Sequence, residues 1–173
     1  MTNSRFTLGV VATRRVSTNK WAPPVSWAPS AVLPLAPPTA PMTRLTPEGA
    51  QETWYVGPAE LTLHPGETAH YRDNLQSGRP SLWVALREAG DGVSIAVVTA
   101  DPYEGEALAG DAGLILEAVP MPPEIASAIG AFYEAFHVER EFFKRKRKKA
   151  DPEALARRAP RVLGLDDDEE GGR

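Results

Sequence analysis

The chain of 173 residues suits one domain with or without tails, and its lack of Cys excludes disulfides, thiolate metal sites and cysteine nucleophiles. Its net charge of −4 is uneven: residues 1–143 carry 9 Lys and Arg against 16 Asp and Glu, whereas residues 144–173 carry 10 against 7. An acidic body with a basic tail disfavours a nucleic-acid surface that covers the whole domain.

The first predicted element is a strand over residues 5–16, where β-branched, aromatic and polar residues are mixed. Arg14-Arg15 and the apolar stretch that follows faintly imitate a twin-arginine export signal. Seven prolines between Trp21 and Met42 would break a signal helix, so the strand prediction is preferred. No run of apolar residues is long enough to predict a transmembrane helix.

The proline-rich stretch is predicted to be neither a helix nor a central strand, because proline has no backbone N–H to donate. Residues 30–35 are predicted as an edge strand within it. We expect Trp21 and Trp27 to anchor the stretch by packing on the core, since tryptophans rarely stay exposed in such segments.

The middle of the chain alternates between strands and turns. Residues 52–64 predict two short strands around Gly57-Pro58, and residues 65–78 predict a short helix that Gly78 ends. Residues 80–88 and 92–100 are the clearest strands, and the loop between them predicts an antiparallel hairpin.

The next predicted helix has a complete set of start signals. Asp101 is expected to cap it, Pro102 suits its first position, Glu104 would complete a capping box and Gly110 would end it. A strand over residues 113–122 follows.

A long helix over residues 122–137 then carries an apolar stripe at helical spacing, formed by Ile125, Ile129, Phe132, Tyr133 and Phe136. We expect the stripe to pack on the sheet. The alternative is that it faces the groove of a partner.

These elements predict an α+β domain over residues 1–143. Its mainly antiparallel sheet of about six strands would curve into a sandwich or a partly open barrel, covered by two short helices and a long C-terminal helix. Residues 144–173, basic and then acidic, are predicted to be a largely disordered tail.

Candidate chemical sites are few. His64, Glu67, His70 and Asp73 lie three residues apart, but three-residue steps drift around a helix and Pro65 interrupts the array, so we expect no metal site. The hypothesis that Asp101 and Glu104 are paired carboxylates for acid–base catalysis is less well supported than the hypothesis that they cap the helix. No catalytic constellation is found in the sequence, so the chain is interpreted as a protein without enzymatic activity, cofactor or metal.

Several segments together resemble one bacterial family. They are "LGVVATRRVSTNKW", "LTLHPGETAHYRDNLQSGRPSLWVALR", "VTADPYEGEALA" and "LEAVPMPPEI" with "FHVEREFFKRKRKK". The family is of unknown function and is often encoded beside genes of molybdenum-dependent formate dehydrogenase and its cofactor-insertion factors. The resemblance implies a cytoplasmic accessory role in the biogenesis of that enzyme, and it transfers no catalytic residue.

Residues 139–149, "EREFFKRKRKK", admit three interpretations. As a protein-docking element, the aromatic pair would anchor in a partner and the cations would steer association; the residues concerned are Phe142, Phe143, Lys144, Arg145, Lys146 and Arg147. The partner would be formate dehydrogenase or another accessory factor. The alternatives are nucleic-acid binding by a regulator, which the acidic body disfavours, and a solvated helix end. An undetected cofactor-maturation enzyme is a further alternative for the whole chain.

The tail offers too little apolar surface to offset the entropy of ordering it. We therefore expect truncation after Lys149 to leave the Tm of the domain nearly unchanged, as measured by thermal unfolding of the full and truncated chains. A fall of many degrees would show that the tail packs on the domain.

Overall fold

A computed structural model of the chain describes residues 3–138. That part contains seven strands and three α-helices. In chain order they are β1 (Ser4–Val16), β2 (Val25–Leu33), β3 (Thr43–Arg44), β4 (Gln51–Leu63), α1 (Thr68–Gln76), β5 (Ser81–Ala89), β6 (Gly92–Thr99), α2 (Pro102–Leu108), β7 (Ile115–Pro120) and α3 (Pro123–Phe136). A short 3₁₀ turn, Pro65–Glu67, leads into α1.

The strands form two antiparallel sheets. The first has the order β2-β1-β4-β3 and the second the order β6-β5-β7. The sheets lie against one another, with β4 next to β6 and β2 next to β7. The predicted α+β class is confirmed. Of the two predicted shapes the sandwich is correct and the barrel is wrong, because within residues 3–138 no ladder of hydrogen bonds joins one sheet to the other.

The core lies between the sheets and follows from the period-two alternation of strand side chains. On β1, Leu8, Val10 and Ala12 are fully buried and face inward. They meet Leu82 and Val84 of the central strand β5 in one continuous hydrophobic cluster. These alternate side chains of β1 point toward the second sheet. Later residues of β1 that continue the same step of two therefore point toward the second sheet as well.

The outer face of the first sheet is covered as well. Gly9 leaves room there for the proline-rich segment, since a Cβ at this position would lie 3.1 Å from both Pro37 Cδ and Tyr55 Cε2. Tyr55 is buried beneath this cover, and its hydroxyl has no hydrogen-bond partner among the described residues. Pro37 of the proline-rich segment therefore covers part of the outer face of the first sheet.

The apolar stripe of α3 belongs to the core. Ile125, Ile129 and Phe132 are buried, and the ring of Phe132 meets that of Tyr71 edge-on, which joins α3 to α1. The expectation of a packing stripe is confirmed, whereas the alternative of a partner-facing stripe is wrong for these three residues. Phe136 stays partly exposed at the end of the helix.

Three predicted details need correction. Residues 51–63 form the single strand β4 instead of two. A β-bulge at Val56 lets the strand continue past Gly57-Pro58. Pro58 is tolerated because that part of β4 pairs only with β1, and β3 pairs farther along the strand. The edge strand β2 begins at Val25, earlier than predicted. Trp27 packs against the core as expected, but Trp21 is 85% exposed in the turn after β1.

Other sequence predictions are confirmed or lie outside the described residues. The hairpin of β5 and β6 and the strand β7 are confirmed. Arg14-Arg15 lie inside β1, paired on both sides. The predicted boundary at residue 143 and the predicted tail lie outside the described residues. Within residues 3–138, no helix combines the length and the apolar character that crossing a membrane requires.

Gly105 on α2 gives a stability test of the packing. A Cβ added there would overlap the indole of Trp83 on β5. We expect Gly105→Ala to lower the free energy of unfolding by about 1–3 kcal/mol, because overpacking outweighs the gain in helix propensity. Chemical denaturation measures it. Gly110→Ala is the control, since its Cβ would meet only the Ala107 carbonyl at 3.6 Å; equal effects of both substitutions would contradict the packing account.

Candidate functional site

One end of the sandwich carries a row of polar and aromatic side chains on its inward face. The row consists of Trp27 on β2, Arg14 on β1, Glu52 and Trp54 on β4, and Arg44 on β3. Arg14 continues the inward series of β1 and lies directly between Trp27 and Glu52 in the strand register. Charged groups thus occupy positions where alternation would place apolar ones.

Glu52 organises this row. The side chain is 2% exposed, yet its carboxylate accepts four hydrogen bonds. Trp54 Nε1 donates to Oε2 at 2.9 Å and Arg14 Nη1 donates to the same atom at 3.3 Å. The Gly49 amide donates to Oε1 at 3.4 Å and Arg44 Nη1 donates to it at 3.5 Å. A buried carboxylate with this many donors is satisfied in its ionised form.

The electrostatics of Glu52 follow from the same contacts. The hydrogen bond from Trp54 is the largest influence and holds the pKa of Glu52 below its usual value. Burial raises the pKa, whereas the Gly49 amide and the charges of Arg14 and Arg44 lower it further. Glu52 is therefore ionised at neutral pH and fixes the two guanidinium groups in place.

A cavity of about 590 Å³ opens between this row and the β5–β6 hairpin, and we call it the mouth groove. Its hairpin wall includes Asp91, Gly92 and Val93. An adjoining cavity of about 520 Å³ shares Arg14, Trp27, Asp91 and Gly92 and adds Glu88. The sheet wall of the mouth groove therefore carries two arginines, two indoles and the carboxylates of Glu48 and Glu52, whereas its hairpin wall carries the carboxylate of Asp91.

Met42 lies on the floor of the mouth groove in an uncommon conformation. Its φ of 57° is the one positive value among non-glycine residues in the described part of the chain. Such a conformation costs roughly 1 kcal/mol or more and persists where surrounding contacts enforce it. The methionine side chain reaches Gly92 on the hairpin, where a Cβ would lie 2.7 Å from Met42 Cε.

A second polar cluster lies at the other end of the sandwich, where α1 and α2 meet. Asp101, 5% exposed, accepts the Tyr103 amide at 2.8 Å, so the predicted helix cap is confirmed. Its second oxygen lies 2.7 Å from His70 Nδ1, and the imidazole packs on the ring of Tyr103. The amide of Asp101 donates to Thr99 Oγ1, which replaces the expected capping-box contact with Glu104.

The spaced array of candidate metal ligands is dispersed. The His64 amide donates to the Tyr71 hydroxyl, which in turn donates to Glu67. His70 turns to Asp101, and Asp73 pairs with the neighbouring Arg72. The pKa of Tyr71 is raised, chiefly by burial. Within residues 3–138 no group of three or more His, Asp or Glu is placed to hold a metal ion.

Sequence reasoning and structure point to different sites. The predicted docking residues, Phe142, Phe143 and Lys144 to Arg147, lie outside the described residues. The row of the mouth groove was not predicted as a site. One signal was available: Arg14 follows Leu8, Val10 and Ala12 in steps of two, which puts a cation on a core-facing register.

Comparison with known protein families finds a match over most of the chain. The model of a family described as a protein of unknown function (DUF3305) matches residues 7–148. No curated protein and no solved structure matches the chain.

Glu52 predicts a pH dependence of stability. Because its pKa is lowered in the folded state, its ionised form stabilises the fold above the unfolded-state pKa of about 4.3, and this contribution is lost as pH falls through the folded pKa. We expect Glu52→Gln to lower the Tm at neutral pH, with the difference from the unmodified chain shrinking below about pH 4.

Thermal unfolding between neutral and acidic pH measures this effect. Glu48→Gln is the matched control, because Glu48 is exposed and contacts Arg44 only at 3.7 Å. The same pH profile for both variants would refute the role of Glu52.

Proposed function

We propose that this chain, which belongs to the DUF3305 family of proteins of unknown function, is a non-catalytic accessory or interaction protein. Its task would be to assist the biogenesis or assembly of a molybdenum-dependent formate dehydrogenase in the cytoplasm. The formate dehydrogenase context rests on the resemblance of the quoted segments to a family encoded beside those genes.

The observation that supports an interaction role is the composition of the mouth groove. Tryptophan and arginine are the residues most enriched at the energetic centres of protein interfaces. Here Trp27, Trp54, Arg14 and Arg44 lie in one row, and the buried Glu52 holds three of them through hydrogen bonds. Side chains that are already ordered lose little conformational entropy when a partner binds.

Two other functions give different expectations. A nucleic-acid-binding regulator would act through the cations of residues 144–149 and bind any sequence with a steep salt dependence. A cofactor-maturation enzyme would bind a molybdopterin nucleotide, which would raise the Tm of the chain. The acidic body of residues 1–143 favours the interaction role over the first of these.

Affinity capture with the full chain, from cells that express formate dehydrogenase, tests the proposal. We expect capture of formate dehydrogenase or another of its accessory factors. Trp27→Ala should weaken this capture on the order of 10-fold or more, because truncation of a central interface tryptophan commonly costs 2 kcal/mol or more.

Tyr103→Ala is the matched control. Tyr103 is an exposed aromatic residue on α2, which follows the end of β6 farthest from the hairpin. Equal losses in both variants, or capture of nucleic acid alone, would contradict the proposal. A thermal unfolding curve for each variant separates lost binding from lost folding.

A further inference from the structure

The two walls of the mouth groove differ in charge. On the sheet wall, Arg14 and Arg44 each use Nη1 for Glu52, whose four hydrogen bonds leave it no free lone pair, and Arg44 Nη1 also forms an ion pair with Glu48. A guanidinium has five N–H donors, so most of those on the two arginines remain for a ligand. The side chains of Arg14 and Arg44 are 27% and 38% exposed, which lets solvent and ligands reach them.

The hairpin wall is negative. Glu88 and Asp91 line the groove or its extension, and neither forms an ion pair among the described residues. Glu48 adds a third carboxylate at the rim, 3.7 Å from Arg44 and exposed to solvent. A polyanion that approached the arginines would be repelled by these carboxylates, whereas one isolated anionic group could reach the sheet wall.

Resting on the proposed function, we infer that the mouth groove binds an extended polypeptide segment of the partner through one carboxylate side chain. The carboxylate lies against the free N–H groups of Arg14 and Arg44, and an apolar neighbour of the acidic residue packs on Trp27. Paired N–H donors of a guanidinium match the two oxygens of a carboxylate in spacing and plane.

The shape of the groove favours a chain segment over a small molecule. Small-molecule pockets enclose most of their ligand. The mouth groove of about 590 Å³ instead continues past Arg14 and Trp27 into the adjoining cavity of about 520 Å³. An extended segment can follow this path, with its acidic residue at the arginines and a hydrogen-bond donor near Asp91.

Titration of the full chain with blocked pentapeptides tests the inference. The probes are Ser-Leu-Glu-Leu-Ser and the same peptide with Gln or Lys at its centre, followed by the NMR signals of the indole N–H groups. We expect the Glu peptide to bind about three- to tenfold more tightly than the Gln peptide, the range expected for one partly exposed ion pair. The Lys peptide should be the weakest of the three.

Two variants test whether the preference for the Glu peptide arises from the sheet wall and from the hairpin wall of the mouth groove. Arg44→Gln should weaken the preference for Glu over Gln, because one of the two guanidinium groups is lost while Arg14 still neutralises Glu52. Asp91→Asn should strengthen binding of the Glu peptide by removing repulsion, and it touches no member of the Glu52 hydrogen-bond network. Equal binding of the Glu and Gln peptides, or tighter binding of the Lys peptide, would overturn the inference. So would binding of a short single-stranded oligonucleotide that depends on Arg44.

The outcomes separate this inference from the proposed function. Capture of the partner that is lost in Trp27→Ala, without a preference for the Glu peptide, would leave the function standing and overturn carboxylate recognition. A preference for the Glu peptide without capture of formate dehydrogenase or its accessory factors would support carboxylate recognition and reject the function.

Discussion

The buried carboxylate of Glu52 is the contact on which the open end of the sandwich depends. Its four donors come from β1, from β4 itself, from β3 and from the loop before β4. Removing the carboxylate would leave Arg14 without its carboxylate partner and Arg44 with the exposed Glu48 alone, a more costly state than the intact network. One side chain therefore orders three strands and presents the arginines of the mouth groove.

The same end is held together across the sheets by packing. Met42 adopts its left-handed conformation just before β3 and reaches over to Gly92 at the start of β6. The indoles of Trp27 and Trp54 meet edge-on with centroids 5.8 Å apart. Strained backbone is typical of binding sites, because it is not the arrangement that stability alone would select.

The helices account for why this end is open. α1 follows the end of β4 and α2 follows the end of β6, so both lie at the end of the sandwich away from the β5–β6 hairpin. There Asn74 donates to the carbonyls of Ser81 and Ala100, and Asp101 joins the cap of α2 to His70. Polar groups at the helical end are used to close the fold, whereas those at the mouth groove line an open cavity.

Local signals in the sequence were enough to predict the β5–β6 hairpin, the cap of α2 by Asp101, the stripe of α3 and the α+β class. Each depends on signals within a few residues, such as alternation, caps and turn residues. Contacts between distant segments determine the exposure of Trp21, the continuity of β4 and the formation of a sandwich instead of a barrel. Local sequence patterns do not predict those contacts.

The row of the mouth groove is assembled by the pairing of strands that are distant in the chain. Arg14 and Glu52 are 38 residues apart in the chain and meet only because β1 and β4 pair in one register, with a bulge at Val56. A slip of one residue would turn every side chain of a strand to the opposite face. Whether a charged residue lies inward is thus a property of the register, which the long-range packing of the two sheets sets.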